Sequence, residues 1–244
     1  LTTNRLPRVG RIGLNYFLTP AGRVEGEMTV TRLAEDRFYL VSAAVGELKD
    51  REFVETHLPE GLDATLTTVS QDHGVLSVAG PLARDLLERC TGADLSSDAF
   101  PWLSAQEIEV CGVALRALRV GFVGELGWEL HVPMAGMLAV YDGLWEAGQD
   151  LGVADIGHHA VNSLRMEKGY RISRDMTHDV DPVEAGVGAF VTRDTGDFVG
   201  REALLARDVE SRRWASAYLD VDCQVADFTG GEGGCRGCPS FSLG

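Results

Sequence analysis

Residues 121–133 read GFVGELGWELHVP, with two acids, Glu125 and Glu129, set around Gly127 and Trp128. Glutamate and glycine are both depleted from strands, yet residues 128–133 carry a strand signal. Something other than strand propensity placed the acids. One explanation is a tight turn with solvated carboxylates; the other is a polar anchor at the mouth of a ligand pocket. Glu125 suits the turn and solvent, and Glu129 is the residue on which the two explanations differ.

Outward from that stretch, alternating or β-branched runs predict strands at 24–33, 37–43, 63–70, 74–80, 106–123 and 128–133. Helical patterns separate them. Residues 45–58 place Leu48, Phe53, Val54 and Leu58 on or near one face, and 81–90 open with Pro81 in the first turn, where a missing N–H costs nothing. In 134–152, Met137, Leu138, Tyr141, Leu144 and Trp145 form an amphipathic stripe. Further helices are expected in 156–171, with Ala160, Leu164 and Met166 inward, and in 197–208. Residues 181–191 read as a loop feeding a short strand. The order is strand, strand, helix, repeated with variation, which is α+β with mixed or antiparallel sheets rather than βαβ winding.

The totals narrow the function. A chain of 244 residues with 45% hydrophobic and 24% charged residues is an ordinary globular composition. Its formal charge of −15 argues against a nucleic-acid or anionic-membrane partner, which needs a basic surface. No apolar run approaches the roughly 20 residues of a membrane helix, and no Gly-rich phosphate loop follows a strand. His158 and His159 have no third ligand at helical spacing, so no metal is expected. Of the five cysteines, Cys90 and Cys111 read as small buried hydrophobes. Cys235 and Cys238 form an isolated C-x-x-C in a glycine-rich tail. No Ser-His-Asp or Cys-His constellation is present. A reducing cytoplasmic or mitochondrial-matrix compartment fits this cysteine usage.

Six stretches, in order, resemble one family: LTPAGRVEGEMTVTRL (18–33), GVLSVAGPLARDLLERCTGADLSSDAFPW (74–102), VGFVGELGWELHVP (120–133), NSLRMEKGYR (162–171), DPVEAGV (181–187) and DFVGREAL (197–204). The family is the aminomethyltransferase-type, glycine cleavage T-protein-like, tetrahydrofolate domain. The pattern is nearer to the version in the C-terminal region of dimethylglycine and sarcosine dehydrogenases, and Glu27 in place of Asp favours the former. The resemblance implies small α+β units around a central folate site. It also implies transfer of a one-carbon unit, removed from an N-methyl amine as an iminium, to tetrahydrofolate, giving 5,10-methylenetetrahydrofolate. FAD would reside only in an oxidoreductase domain, fused or separate, that this chain lacks.

Carried over residue by residue, the resemblance implies a catalytic acid at Glu27, close to the reacting folate nitrogens. A carboxylate there can accept a proton or stabilise cationic charge, and Glu reaches about 1.5 Å further than Asp. Thr29 lies on the same side of the strand, as a pterin hydrogen-bond partner or a β-branched filler. Glu129 is implied to accept two N–H donors of the amidine-like pterin edge, with Leu130 and His131 following along the pocket wall. Gly124 and Gly127 then mark turns or close backbone approach. Phe122 stands where relatives place an aromatic against the folate ring, with core packing as the alternative. Arg165 can pair with an acid or a folate carboxylate.

There are departures. Ile172-Ser173-Arg174 replace a Trp-Gly continuation, and Ala189 stands in place of a folate-contacting aromatic. The domain is expected to span 1–210 with its N-terminal part missing. Residues 211–222 would begin a truncated C-terminal β-barrel, and 223–244 would form a disordered Gly-rich tail. Alternatives are a glycine cleavage aminomethyltransferase, a folate-binding accessory protein, or a remnant that binds nothing. The first typically has an Arg-Asp pair before Ser163-Leu164-Arg165, and the second a Cys between Lys-Gly and Tyr; here Lys168-Gly169-Tyr170 run together.

Overall fold

The β-branched runs do become strands wherever a partner can pair with them. The computed structural model describes residues 2–176, 178–192, 194 and 196–207. Strands β1 (Ile12–Leu18), β2 (Val24–Ala34) and β3 (Arg37–Val41) form a three-stranded sheet in that order, β2 and β3 antiparallel with Thr29 opposite Val41. Helix α1 (Glu47–His57) follows, then β4 (His73–Ala79), α2 (Ala83–Glu88), β5 (Ala105–Val110), β6 (Val113–Leu118) and β7 (Gly127–Pro133). Helices α3 (Met137–Ala147), α4 (His158–Glu167) and α5 (Arg201–Leu205) complete the described chain. The second sheet is four-stranded, ordered β4-β7-β6-β5, with antiparallel neighbours throughout. The α+β class stands.

The chain divides into two compact units, one of residues 1–4, 16–27 and 171 onward, the other of residues 5–15 and 28–170. In the larger unit, α2 and α3 pack against β7. Trp128, Leu130 and Val132 from β7 meet Leu87, Phe100 and Val140 there, all fully buried. Each such side chain contributes about 1.5–3 kcal/mol through burial, so this face anchors the sheet. The 106–123 run breaks into a hairpin because Cys111 and Gly112 both take positive φ, 50° and 77°, the backbone a two-residue turn between twisted strands requires.

In the smaller unit, Thr3 accepts from the Tyr16 amide and donates to the Tyr16 carbonyl, at 3.2 and 3.0 Å. The loop 181–187 is held by Asp181, whose carboxylate accepts from the Val183 and Glu184 amides at 2.8 and 2.9 Å. Ion pairs Arg23–Glu184 (2.9 Å) and Arg207–Asp181 (3.2 Å) secure it from two sides.

Several sequence expectations fail here. Residues 63–70 are not a strand: most are exposed, and among the described residues no strand pairs with them. Residues 181–191 end in a 3₁₀ turn at Gly188–Phe190, not a strand, because the Phe190 and Val191 amides donate back to the Val187 and Gly188 carbonyls rather than to a neighbouring strand. On α3 the buried residues are Val140 and Leu144, whereas Leu138, Tyr141 and Trp145 face outward. On α1, Val54 and Asp50 are buried and Leu48 is 81% exposed. On α4, Ala160 is exposed and Arg165 takes the buried position. The expected boundary near 210, the barrel strand at 211–222 and the tail at 223–244 with Cys235 and Cys238 lie outside the described residues.

Candidate functional site

Strand alternation sorts the opening stretch. Trp128, Leu130 and Val132 enter the core, so Glu129 and His131 point to the other face of β7. Leu130 therefore does not follow Glu129 along a pocket wall; its side chain is fully buried beneath the sheet. Glu129 keeps a side chain 24% exposed, enough to present its carboxylate to a ligand. His131 is only 2% exposed and lines no open wall either. Its Nε2 lies 3.6 Å from Glu129 Oε2, and its Nδ1 is 3.0 Å from the Tyr39 hydroxyl.

Tyr39, from β3, meets the His131 ring edge-on at 5.3 Å between centroids. Arg116, opposite His131 in the β6–β7 register, lies over the Tyr39 ring at 4.5 Å and pairs with Glu107 at 2.7 Å. Burial pushes the Tyr39 phenol above its ordinary pKa, with Arg116 opposing. The face thus carries a carboxylate, an imidazole, a phenol and a guanidinium in contact sequence. Tyr39 and Arg116 escaped the sequence reading. The available signal was a lone Arg within VALRAL and a Tyr within RFYLV, both at strand positions where an apolar residue would otherwise serve.

The preceding loop explains its glycines. Gly124 has φ 80°, and a Cβ there would stand 2.7 Å from the Lys168 side chain. A Cβ on Gly127 would stand 2.6 Å from the Val78 carbonyl oxygen, so the start of β7 is packed directly on β4. Phe122 does not enter the core. It is 37% exposed and stacks on Tyr170 at 6.3 Å with planes 29° apart, an aromatic surface that the sequence reading assigned to Phe122 alone. Glu125 is exposed, as its turn position requires.

Other candidates sit elsewhere. Thr29 donates to the Val41 carbonyl at 3.4 Å, across the β2–β3 ladder. Arg165 is 3% exposed; its guanidinium donates to Asn162 Oδ1 at 2.8 Å and to the Tyr170 carbonyl at 2.9 Å. It thereby holds the end of α4. In the smaller unit, half-buried Glu27 on β2 accepts a hydrogen bond from the buried Tyr16 phenol. Burial first, then the Glu27 charge, drives the Tyr16 pKa far above the phenol range.

Cys90 offers no thiolate, because burial and the neighbouring Cys111 push its pKa up to about 12. Among the described residues no three His, Cys, Asp or Glu side chains converge as metal ligands, and no helix is long and apolar enough to cross a membrane. Chemically, the Glu129 face suits a ligand offering paired N–H donors, since an ionised carboxylate accepts two side by side.

The family model of the GCVT N-terminal domain matches residues 1–195. The chain is 37% identical to mitochondrial dimethylglycine dehydrogenase from Homo sapiens, covering 84% of this chain and 24% of that protein. It is 37% identical to mitochondrial sarcosine dehydrogenase from Mus musculus, covering 92% and 26% respectively. The chain thus spans about a quarter of the length of these relatives. Among solved structures, the glycine cleavage system aminomethyltransferase T from Bartonella henselae aligns with a TM-score of 0.71 at 26% identity, covering 82% of this chain and 53% of that one. With the dispersed motifs, the antiparallel α+β architecture and these likenesses in agreement, the chain belongs to the GCVT N-terminal domain family, as an aminomethyltransferase-like domain related to the dimethylglycine and sarcosine dehydrogenases.

Proposed function

We propose that this domain binds tetrahydrofolate and delivers to it a one-carbon unit taken from an N-methyl amine as an iminium, the product being 5,10-methylenetetrahydrofolate. The supporting observation is Glu129, the second acid of the GELGWEL stretch and a partly exposed carboxylate on a strand whose alternate residues are core. Its two oxygens match the paired donors of a pterin edge. Phe122 and Tyr170 supply an exposed aromatic surface within the same unit, on which a flat ring can stack. Glu27 takes the proton released when a folate nitrogen joins the electrophilic carbon. Tyr16, hydrogen-bonded to Glu27, fixes that carboxylate's orientation.

The iminium would come from a flavin-containing oxidoreductase domain, fused or separate, with FAD bound there and not by this chain. The setting would be the cytoplasm or, in a eukaryote, the mitochondrial matrix, in line with the relatives named mitochondrial. A glycine cleavage aminomethyltransferase is the second reading, favoured by the likeness to the T-protein structure and disfavoured by Val161-Asn162 where that group has Arg-Asp. A competition assay separates the two. One-carbon transfer from an oxidised N-methyl amine, with none from a lipoyl-bound aminomethyl group, is expected; the reverse pattern overturns the dehydrogenase-type reading.

A further inference from the structure

His131 is the buried polar group that the folate reading leaves without a task. It sits at 2% exposure on β7, and its Nε2 has no hydrogen-bond partner among the described residues. A ring nitrogen in that state signals an interaction the fold prepares for and does not complete. Glu129 Oε2 lies 3.6 Å from it, beyond hydrogen-bond length and within reach of a small carboxylate rotation.

The other ring nitrogen decides what Nε2 carries. Nδ1 faces the Tyr39 hydroxyl at 3.0 Å. Arg116 lies over that phenol, its guanidinium 4.5 Å from the ring centroid; its fixed positive charge, with no acceptor to offer a hydroxyl, favours the phenol turning its oxygen lone pairs toward the guanidinium and its O–H away from it. The O–H then points at Nδ1, which must be the unprotonated nitrogen. A neutral imidazole with Nδ1 as acceptor bears its proton on Nε2, the nitrogen aimed at Glu129. Arg116 is itself oriented by Glu107 at 2.7 Å, so the series runs Glu107, Arg116, Tyr39, His131, Glu129 with donors pointing consistently.

We propose that His131 is a positioning residue: held at Nδ1 by Tyr39, it presents an Nε2–H to Glu129 and fixes that carboxylate for a ligand's paired N–H donors. The inference rests on the reading of Glu129 as ligand anchor, and it assigns His131 a role behind the ligand rather than against it. It adds Tyr39 and Arg116 to the binding machinery as orienting groups. Metal-binding histidines are oriented by partners at the second nitrogen in the same way; here the oriented end meets a carboxylate.

The test is a long-range proton–nitrogen NMR correlation of the histidines in the full, ligand-free chain, with His131 assigned through His131→Gln. The expected spectrum shows His131 as the Nε2–H tautomer, and Tyr39→Phe, which preserves the ring packing, restores a mixture of tautomers. Anaerobic titration with tetrahydrofolate then shows Tyr39→Phe binding about 5- to 10-fold more weakly, the scale of one neutral hydrogen bond. An Nδ1–H tautomer in wild type overturns the inference, as does Tyr39→Phe with unchanged tautomer and affinity. An Nε2–H tautomer that depends on Tyr39 in a chain that binds no folate supports the tether and overturns the folate reading instead.

Discussion

Glu129 and Arg165 show how one residue type can be read two ways until its surroundings are known. Both are charged side chains within apolar-looking segments. Glu129 keeps a carboxylate at the surface of its sheet face, while Arg165 is turned inward and spent on Asn162 and the Tyr170 carbonyl. Arg165→Met is therefore expected to lower unfolding stability by roughly 1–3 kcal/mol, the scale of lost hydrogen bonds from a charged donor, with tetrahydrofolate affinity of the folded protein unchanged. Urea unfolding together with calorimetry separates the two effects, and a loss of affinity without a loss of stability would restore Arg165 to the ligand. At Glu27 the expected outcome is different: Glu27→Gln in the enzyme reconstituted with its flavin domain should keep folate binding and lose most turnover, checked by single-turnover formation of methylenetetrahydrofolate. The acids were legible in the sequence because strands rarely carry them without cause. Tyr39 and Arg116 were not, because their importance comes from a register that pairs Arg116 with His131 across separate strands.

At the level of elements, β7 was readable and its supports were not. The alternation in WELHVP gives the strand, and Gly124 and Gly127 were recognised as turn or close-approach positions. For Gly124 the reason is its own left-handed backbone, φ 80°, together with the Lys168 side chain after α4; for Gly127 it lies in another element, the Val78 carbonyl of β4. Gly127→Ala is expected to destabilise by about 1–3 kcal/mol through overpacking against backbone, seen as a lowered thermal midpoint; an unchanged midpoint would mean that the β4–β7 approach is looser than described. Helix α3 shows the opposite failure. Five apolar residues suggested one stripe, but its helical wheel is apolar nearly all round, and Val140, not Leu138 or Trp145, sits over the core. Periodicity identifies a buried face only when the other face is polar. The 63–70 segment failed for a related reason: alternation suits a strand, but a strand needs a neighbour to pair with.

For the whole molecule, family membership was legible because six motifs recur in order over most of the chain, and each is tied to a local turn, cap or strand. The division into two units was not, since its boundaries at 15/16 and 27/28 fall inside continuous strands β1 and β2. One global property follows from buried phenols. Tyr16 and Tyr39 are both held above the ordinary phenol pKa of 10.0, so above about pH 10 the unfolded chain loses protons that the folded chain retains, and stability must fall as pH rises. Tyr16→Phe should make that alkaline decline shallower by up to ~1.4 kcal/mol per pH unit, measured by urea unfolding at successive pH values; an identical slope would place the Tyr16 phenol in contact with solvent. If Glu129 anchors a reduced folate, anaerobic calorimetric titration of the full chain with tetrahydrofolate, wild type beside Glu129→Gln, reads that contact directly. Wild type is expected to bind saturably and Glu129→Gln to bind more weakly by roughly 1–3 kcal/mol, the scale of a charged hydrogen bond; equal affinities in two equally folded proteins would mean that Glu129 does not hold the folate.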